Sequence, residues 1–168
     1  MEDTVIIKKI QQGRIELFDE LIEKYYQKIY SYCYRYVEHR ETAQDLTQDV
    51  FLKVVDKMGE YEHYGKFENY LYVVAHNKCM DYFKKQKPVY MEEIEIEETS
   101  HMAEQVEHGV TIQSALTKLS EVEREVVLLR FYQDLKFKDI AKIMNATVSA
   151  TKYRLNVAMK KLRELLEE

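Results

Sequence analysis

Between Thr147 and Arg163 the chain carries five cations, Lys152, Arg154, Lys160, Lys161 and Arg163, and no carboxylate. Ser149, Lys152, Tyr153, Asn156 and Lys160 recur at three- and four-residue steps, which places them on one face of a helix. Val148, Thr151, Leu155, Ala158, Met159, Leu162 and Leu166 mark the opposite, apolar stripe. Short polar side chains near a helix start, flanked by cations, suit a DNA major groove: the first reach base edges, the second neutralise phosphates. A solvated surface helix has the same composition, so the preceding residues decide between the two. Ile140, Ile143 and Met144 give the residues from Phe137 a short helical face. Asn145 stands where the chain must reverse, and asparagine tolerates the left-handed conformation that such a reversal needs. Thr147 then serves as N-cap of the second helix. The expected element is a helix-turn-helix whose ligand is DNA.

No other residues call for bond-making chemistry. His39, His63, His76, His101 and His108 show no HExxH spacing, no glycine-rich loop is present to cradle phosphate, and no Ser/His or Cys/His pairing stands out. Cys33 and Cys79 fall inside apolar helical stripes without CxxC spacing and are expected as core thiols of a reducing compartment. The expectation is therefore a protein with no catalytic residue, metal, cofactor or small-molecule substrate. Lacking a signal peptide or an 18-residue apolar run, it is expected in the cytoplasm.

A net charge of −5 argues against nucleic acid until its distribution is read. Residues 1–65 carry −4, 66–87 carry +3, 88–112 carry −7 and 113–168 carry +3. Two basic segments bracket an acidic one, so whole-chain charge is a poor guide to partners. One proline and four glycines in 168 residues leave little room for turns, and the expected class is all-α: two small helical domains joined by a flexible acidic linker. The boundaries read as 1–87, 88–110 and 111–168.

Helices must position the first domain's surfaces. One long stripe of Phe18, Leu21, Ile22, Tyr25, Ile29, Tyr32, Cys33 and Tyr36 reads as core and rim. Over Arg40–Met58, Ala43, Leu46, Val50, Phe51, Val54, Val55 and Met58 face inward, leaving Asp45, Gln48, Asp49 and Leu52 on the other side. A leucine within an acidic, amide-bearing strip has the makeup of a docking face, although surface acidity alone is commonplace. A loop over 59–66 carries Tyr61, His63, Tyr64 and Lys66, and the next helix, about 68–86, presents Asn77, Asp81, Lys84 and Lys85 outward. Rings beside cations fit single-stranded nucleic acid, though the tyrosines could equally fill a groove between helices. Ser120 with Glu123 forms a capping box that opens a helix with Val122, Val126, Leu129 and Arg130.

Taken in order, AQDLTQDVFLKV at 43–54, FENYLYVVAHNKCMDYFKKQK at 67–87, ALTKLSEVEREVVLLRFYQDLKFKDIAKIM at 115–144 and ATKYRL at 150–155 resemble bacterial sigma-70 family sigma factors of the extracytoplasmic-function group. The resemblance covers nearly the whole chain. It implies an alternative sigma factor that binds core RNA polymerase and directs promoter-specific initiation. Asp45, Gln48, Asp49 and Leu52 would dock on the polymerase β′ clamp, with further contacts to β. Tyr61, Tyr64, Lys66, Asn77, Asp81, Lys84 and Lys85 would meet and help open the minus-ten element, taking up a base flipped from the duplex. Unstacking that base costs about a few kcal/mol, which stacking and edge contacts offset. Ser149, Lys152, Tyr153 and Asn156 would read the minus-thirty-five element, with Arg154 and Lys160 on phosphates. The partners implied are core polymerase, promoter DNA as duplex and melted strand, and an anti-sigma factor of the membrane-associated kind. Here the chain departs from the family's habits at Lys136, where a hydroxyl cap is usual, at Asn145, where glycine is common, and at Tyr70, where tryptophan is frequent. The alternative is a dimeric helix-turn-helix regulator on a palindromic operator, but no dimerisation heptad is present and the acidic strip then has no role.

Overall fold

The computed structural model describes residues 2–62, 65–85 and 111–167, and all regular structure among them is helical, as the composition predicts. The chain divides into two compact units, Met1–Asp81 and Tyr82–Glu168. The expected acidic linker at 88–110 lies outside the described residues.

In the first unit, α1 (Asp3–Gln11) leads through Gly13 and a 3-10 turn at Ile15–Leu17 to α2 (Phe18–Val37). Gly13 adopts φ +109°, a backbone region that only glycine enters without strain. Glu38 then takes a left-handed φ of +53° and ends α2, and His39 opens α3 (Arg40–Lys57) by accepting the Thr42 N–H on Nδ1 at 3.3 Å. α4 spans 67–85. Each helix buries the stripe its periodicity dictates: Ile6, Ile7 and Ile10 of α1, Leu21, Ile29 and Tyr32 of α2, Val50, Phe51 and Val54 of α3, and Leu71, Tyr72 and Ala75 of α4. Tyrosines serve two ends. Tyr32 lies edge-on to Tyr36 and Tyr72 at 5.1 and 5.5 Å in the interior, whereas Tyr26, Tyr30 and Tyr34 stack along α2 at 6.4 and 6.1 Å. Cys33 and Cys79 are buried thiols, and the hydrogen bond between them, with burial, holds the Cys79 thiol well above its ordinary pKa. One inward expectation is corrected: Val55 is 42% exposed, because it lies at the margin of the buried stripe, beside Leu52, where neighbouring helices no longer cover it.

The second unit comprises α5 (Ile112–Thr117), α6 (Glu121–Val127), a π turn at Leu128–Tyr132, α7 (Phe137–Ile143) and α8 (Val148–Glu167). The capping box at the start of α6 is present: Ser120 Oγ accepts the Glu123 N–H at 3.2 Å, and the Glu123 carboxylate accepts the Ser120 N–H at 3.0 Å. Lys161 of α8 comes within 2.8 Å of that carboxylate and ties the last helix to the first turn of α6. Together these donors hold Glu123 below the ordinary carboxylate range, the Lys161 hydrogen bond foremost. Val122, read with the same helix, is exposed. Between α6 and α7 the π turn inserts a residue into the helical repeat, which keeps Leu128 and Leu129 buried and turns Phe131 outward.

The reversal before α8 obeys its local chemistry. Asn145 adopts φ +52°, and Thr147 Oγ1 accepts the Ala150 N–H at 3.0 Å as N-cap. Lys136, before α7, makes no side-chain cap. Along α8, Thr151, Leu155, Ala158 and Leu162 are buried as expected, but Val148 and Leu166 are exposed. Both stand in the terminal turns of the 20-residue α8, Val148 in its first and Leu166 in its last, where fewer side chains cover a helix.

Candidate functional site

Three surfaces hold the residues that could recognise a partner. On α3, Asp45, Gln48, Asp49 and Leu52 are all exposed on one side of the helix, and Leu52 has 65% of its surface open. Opposite them Ala43, Leu46, Val50, Phe51 and Val54 are buried, so the core fixes the helix's rotation and with it the direction of the strip. Val55, which periodicity alone places inward, extends the strip's apolar end. Two apolar side chains beside two carboxylates cost free energy in water that a partner's cover returns.

The second surface is built by the 59–66 loop and α4. Tyr61 is half-buried, its ring 4.6 Å from Tyr70 and edge-on to Phe67 at 5.8 Å. Burial, reinforced by Tyr70 and Asp3 nearby, pushes the Tyr61 phenol up to about 12, so it remains a neutral hydroxyl. Tyr64 lies outside the described residues, while Lys66 is exposed. Tyr61 and Tyr70 line a cleft of about 410 Å³ together with Lys57, Glu60 and Glu62. Sequence reasoning missed this cleft, whose only signal was the density of aromatic residues between 61 and 72. Asn77, Asp81, Lys84 and Lys85 are exposed along α4, held outward by the buried Leu71, Val74, Ala75 and Cys79. The cleft's rings can stack bases, while the cations that could contact phosphates are Lys57 in the cleft, beside the carboxylates of Glu60 and Glu62, and Lys66, Lys84 and Lys85 outside its lining.

The third surface is the outward face of α8. Ser149, Lys152, Tyr153, Asn156 and Lys160 are exposed, Tyr153 at 70%, while Arg154 is half-buried at the face's margin. Lys152 lies 5.7 Å from the Phe137 ring centre, and the Arg130 guanidinium lies 4.6 Å from the same ring. Arg130 also donates to the Leu135 carbonyl at 2.9 Å, which fixes the link between π turn and α7. That guanidinium beside the helix-turn-helix is an addition of the structure: the sequence showed Arg130 only as one residue of a helix. Among the described residues no group of His, Cys, Asp and Glu side chains could hold a metal ion, and no helix is long and apolar enough to cross a membrane.

Known proteins match these units in the same order. The family description "Sigma-70 region 2" fits residues 21–89, and "Sigma-70, region 4" fits residues 110–162. RNA polymerase sigma factor YlaC of Bacillus subtilis is 28% identical over 155 residues, 85% of this chain and 90% of that protein. ECF RNA polymerase sigma factor SigW of the same organism is 28% identical over 178 residues, 96% and 95% of the two chains. Among solved structures, the sigma factor RpoE in complex with the anti-sigma factor NepR from Bartonella quintana shares the fold with a TM-score of 0.67, at 17% identity over 89% of this chain and 96% of that one.

Proposed function

This chain belongs to the sigma-70 family of RNA polymerase sigma factors, in its extracytoplasmic-function group, and from that membership we propose how its surfaces divide the work of starting transcription. It is a sigma factor: it binds core polymerase and directs initiation at chosen promoters. In our assignment Asp45, Gln48, Asp49 and Leu52 dock on the β′ clamp. The exposed leucine supplies buried area there, and the carboxylates meet cations of the polymerase. Tyr61, Tyr64, Lys66 and the α4 face of Asn77, Asp81, Lys84 and Lys85 take the minus-ten element and its melted strand. Ser149, Lys152, Tyr153 and Asn156 enter the major groove of the minus-thirty-five element, with Arg154 and Lys160 on its phosphates.

The observation that carries this reading is the chemical contrast between two exposed helix faces, one in each unit. The strip on α3 is acidic and apolar, unsuited to phosphate. The face on α8 is cationic and polar, unsuited to a dry protein interface. One chain bearing both has the chemistry to join a protein to DNA. Bond-making belongs to the polymerase, and this chain supplies recognition alone, acting in the cytoplasm. An anti-sigma factor restrains it by covering these faces. RpoE, a protein of the same fold, is known in complex with the anti-sigma factor NepR, which supports a partner of that class.

The test is a pull-down of core polymerase with the purified chain, and then run-off transcription from pooled genomic promoters. Core binding with new start sites is expected. Failure to bind core, together with tight binding of a palindromic duplex by the chain alone, would replace this reading with a dimeric regulator.

A further inference from the structure

Gln11 is the last residue of α1 and lies outside the residues matched to region 2. Its side-chain amide donates to two main-chain carbonyls, Met58 O at 3.0 Å and Tyr61 O at 2.7 Å. Those carbonyls bracket the turn by which the chain leaves α3, inside which the Tyr61 N–H donates to Met58 O at 3.2 Å. A single amide therefore spans the turn that delivers Tyr61 to the cleft.

The start of α1 reaches the same tyrosine from the other side. Asp3 accepts from the Lys24 ammonium at 2.8 Å and from the Tyr25 hydroxyl. Tyr25 is edge-on to Phe67 at 5.9 Å, and Phe67 is edge-on to Tyr61 at 5.8 Å. Thus α1 holds Tyr61 by its backbone through Gln11 and by its ring through an aromatic relay that begins at Asp3.

Gln11 is not needed to attach α1, which Ile6, Ile7 and Ile10 already bury against the unit. Its own side chain is exposed, where water could satisfy the amide. What the two bonds restrict is the place of Tyr61. We propose that Gln11 is a positioning residue for base selection: it holds the Tyr61 wall of the cleft where a nucleobase extruded from the minus-ten element is discriminated. This rests on the assignment of the 59–66 loop to that element. Base discrimination depends on geometry within fractions of an ångström, so a wall free to drift stacks any base but selects less among them.

The test uses the full chain on core polymerase, with a promoter pool in which the minus-thirty-five element is constant and the minus-ten element is randomised. Gln11→Met keeps the side chain's length without donors, and Gln11→Glu keeps its shape with acceptors only. Both variants are expected to flatten the preference at one minus-ten position about three- to tenfold, the range that one neutral hydrogen bond commands. Core affinity and melting temperature stay unchanged. If both keep the parental preference while Tyr61→Ala flattens it, the loop assignment stands and Gln11 has no part in selection. If Tyr61→Ala also keeps the parental preference, the loop assignment fails and this proposal with it. Equal loss at every promoter with a lowered melting temperature would make Gln11 merely structural and overturn the proposal.

Discussion

Leu52→Ala is the sharpest probe of the docking strip. With 65% of its surface open, Leu52 contributes little to the fold, and a surface substitution of this kind changes stability by about 0.5 kcal/mol or less. Full burial of a leucine side chain is worth about 1.5–3 kcal/mol, and about two thirds of that remains to be gained on docking. The alanine that replaces it recovers part, which leaves a loss of about 0.7–1.5 kcal/mol, or roughly three- to twelvefold in Kd. Titrating fluorescently labelled chain with core polymerase reads this directly, with thermal unfolding of the same sample as control. Weakening within that range at an unchanged melting temperature is the expected result. Unchanged core affinity would refute docking through this face. Weakening accompanied by an earlier melt would locate the effect in the fold instead. Val55→Ala, at the strip's end and 42% exposed, is expected to weaken binding in the same direction and by less.

The same geometry has other consequences. Lys152→Ala is expected to relax preference at one minus-thirty-five position by about 1–3 kcal/mol in run-off transcription from variant promoters. Lys160→Ala should weaken all promoters alike and lower the salt dependence of DNA binding by about one ion. Glu123 is held below the ordinary carboxylate value of 4.5 by Lys161 and Ser120, so below that pH the unfolded chain binds the extra proton. Its contribution is accordingly complete above about pH 4.5 and lost as the pH falls through the lower folded value. Melting of the second unit tracked against pH should show this acid-side loss, and Glu123→Gln should remove it.

The helix-turn-helix was legible because its signals are local. Apolar spacing sets the buried side of α8, Asn145 supplies the left-handed reversal and Thr147 caps the start of α8, and none of these needs a distant partner. The acidic strip on α3 was legible for the same reason, since the buried side of a helix dictates the exposed one. Val55, Val148 and Leu166 were misplaced because periodicity assigns a face but not the extent of the neighbours that cover it. The π turn at Leu128–Tyr132 left no mark in an apolar run that suits an α-helix equally well.

Residue order alone therefore determined the helical class of the described residues, the faces of the long helices and the chemistry those faces carry, because helical periodicity acts within a few residues. Only the tertiary structure decided which apolar residues of the helical stripes stay exposed and where Arg130 stands. It also decided that Gln11 meets Met58 and Tyr61, 47 and 50 residues further along the chain. Such contacts depend on how packed helices bring distant segments together, and no local pattern encodes that.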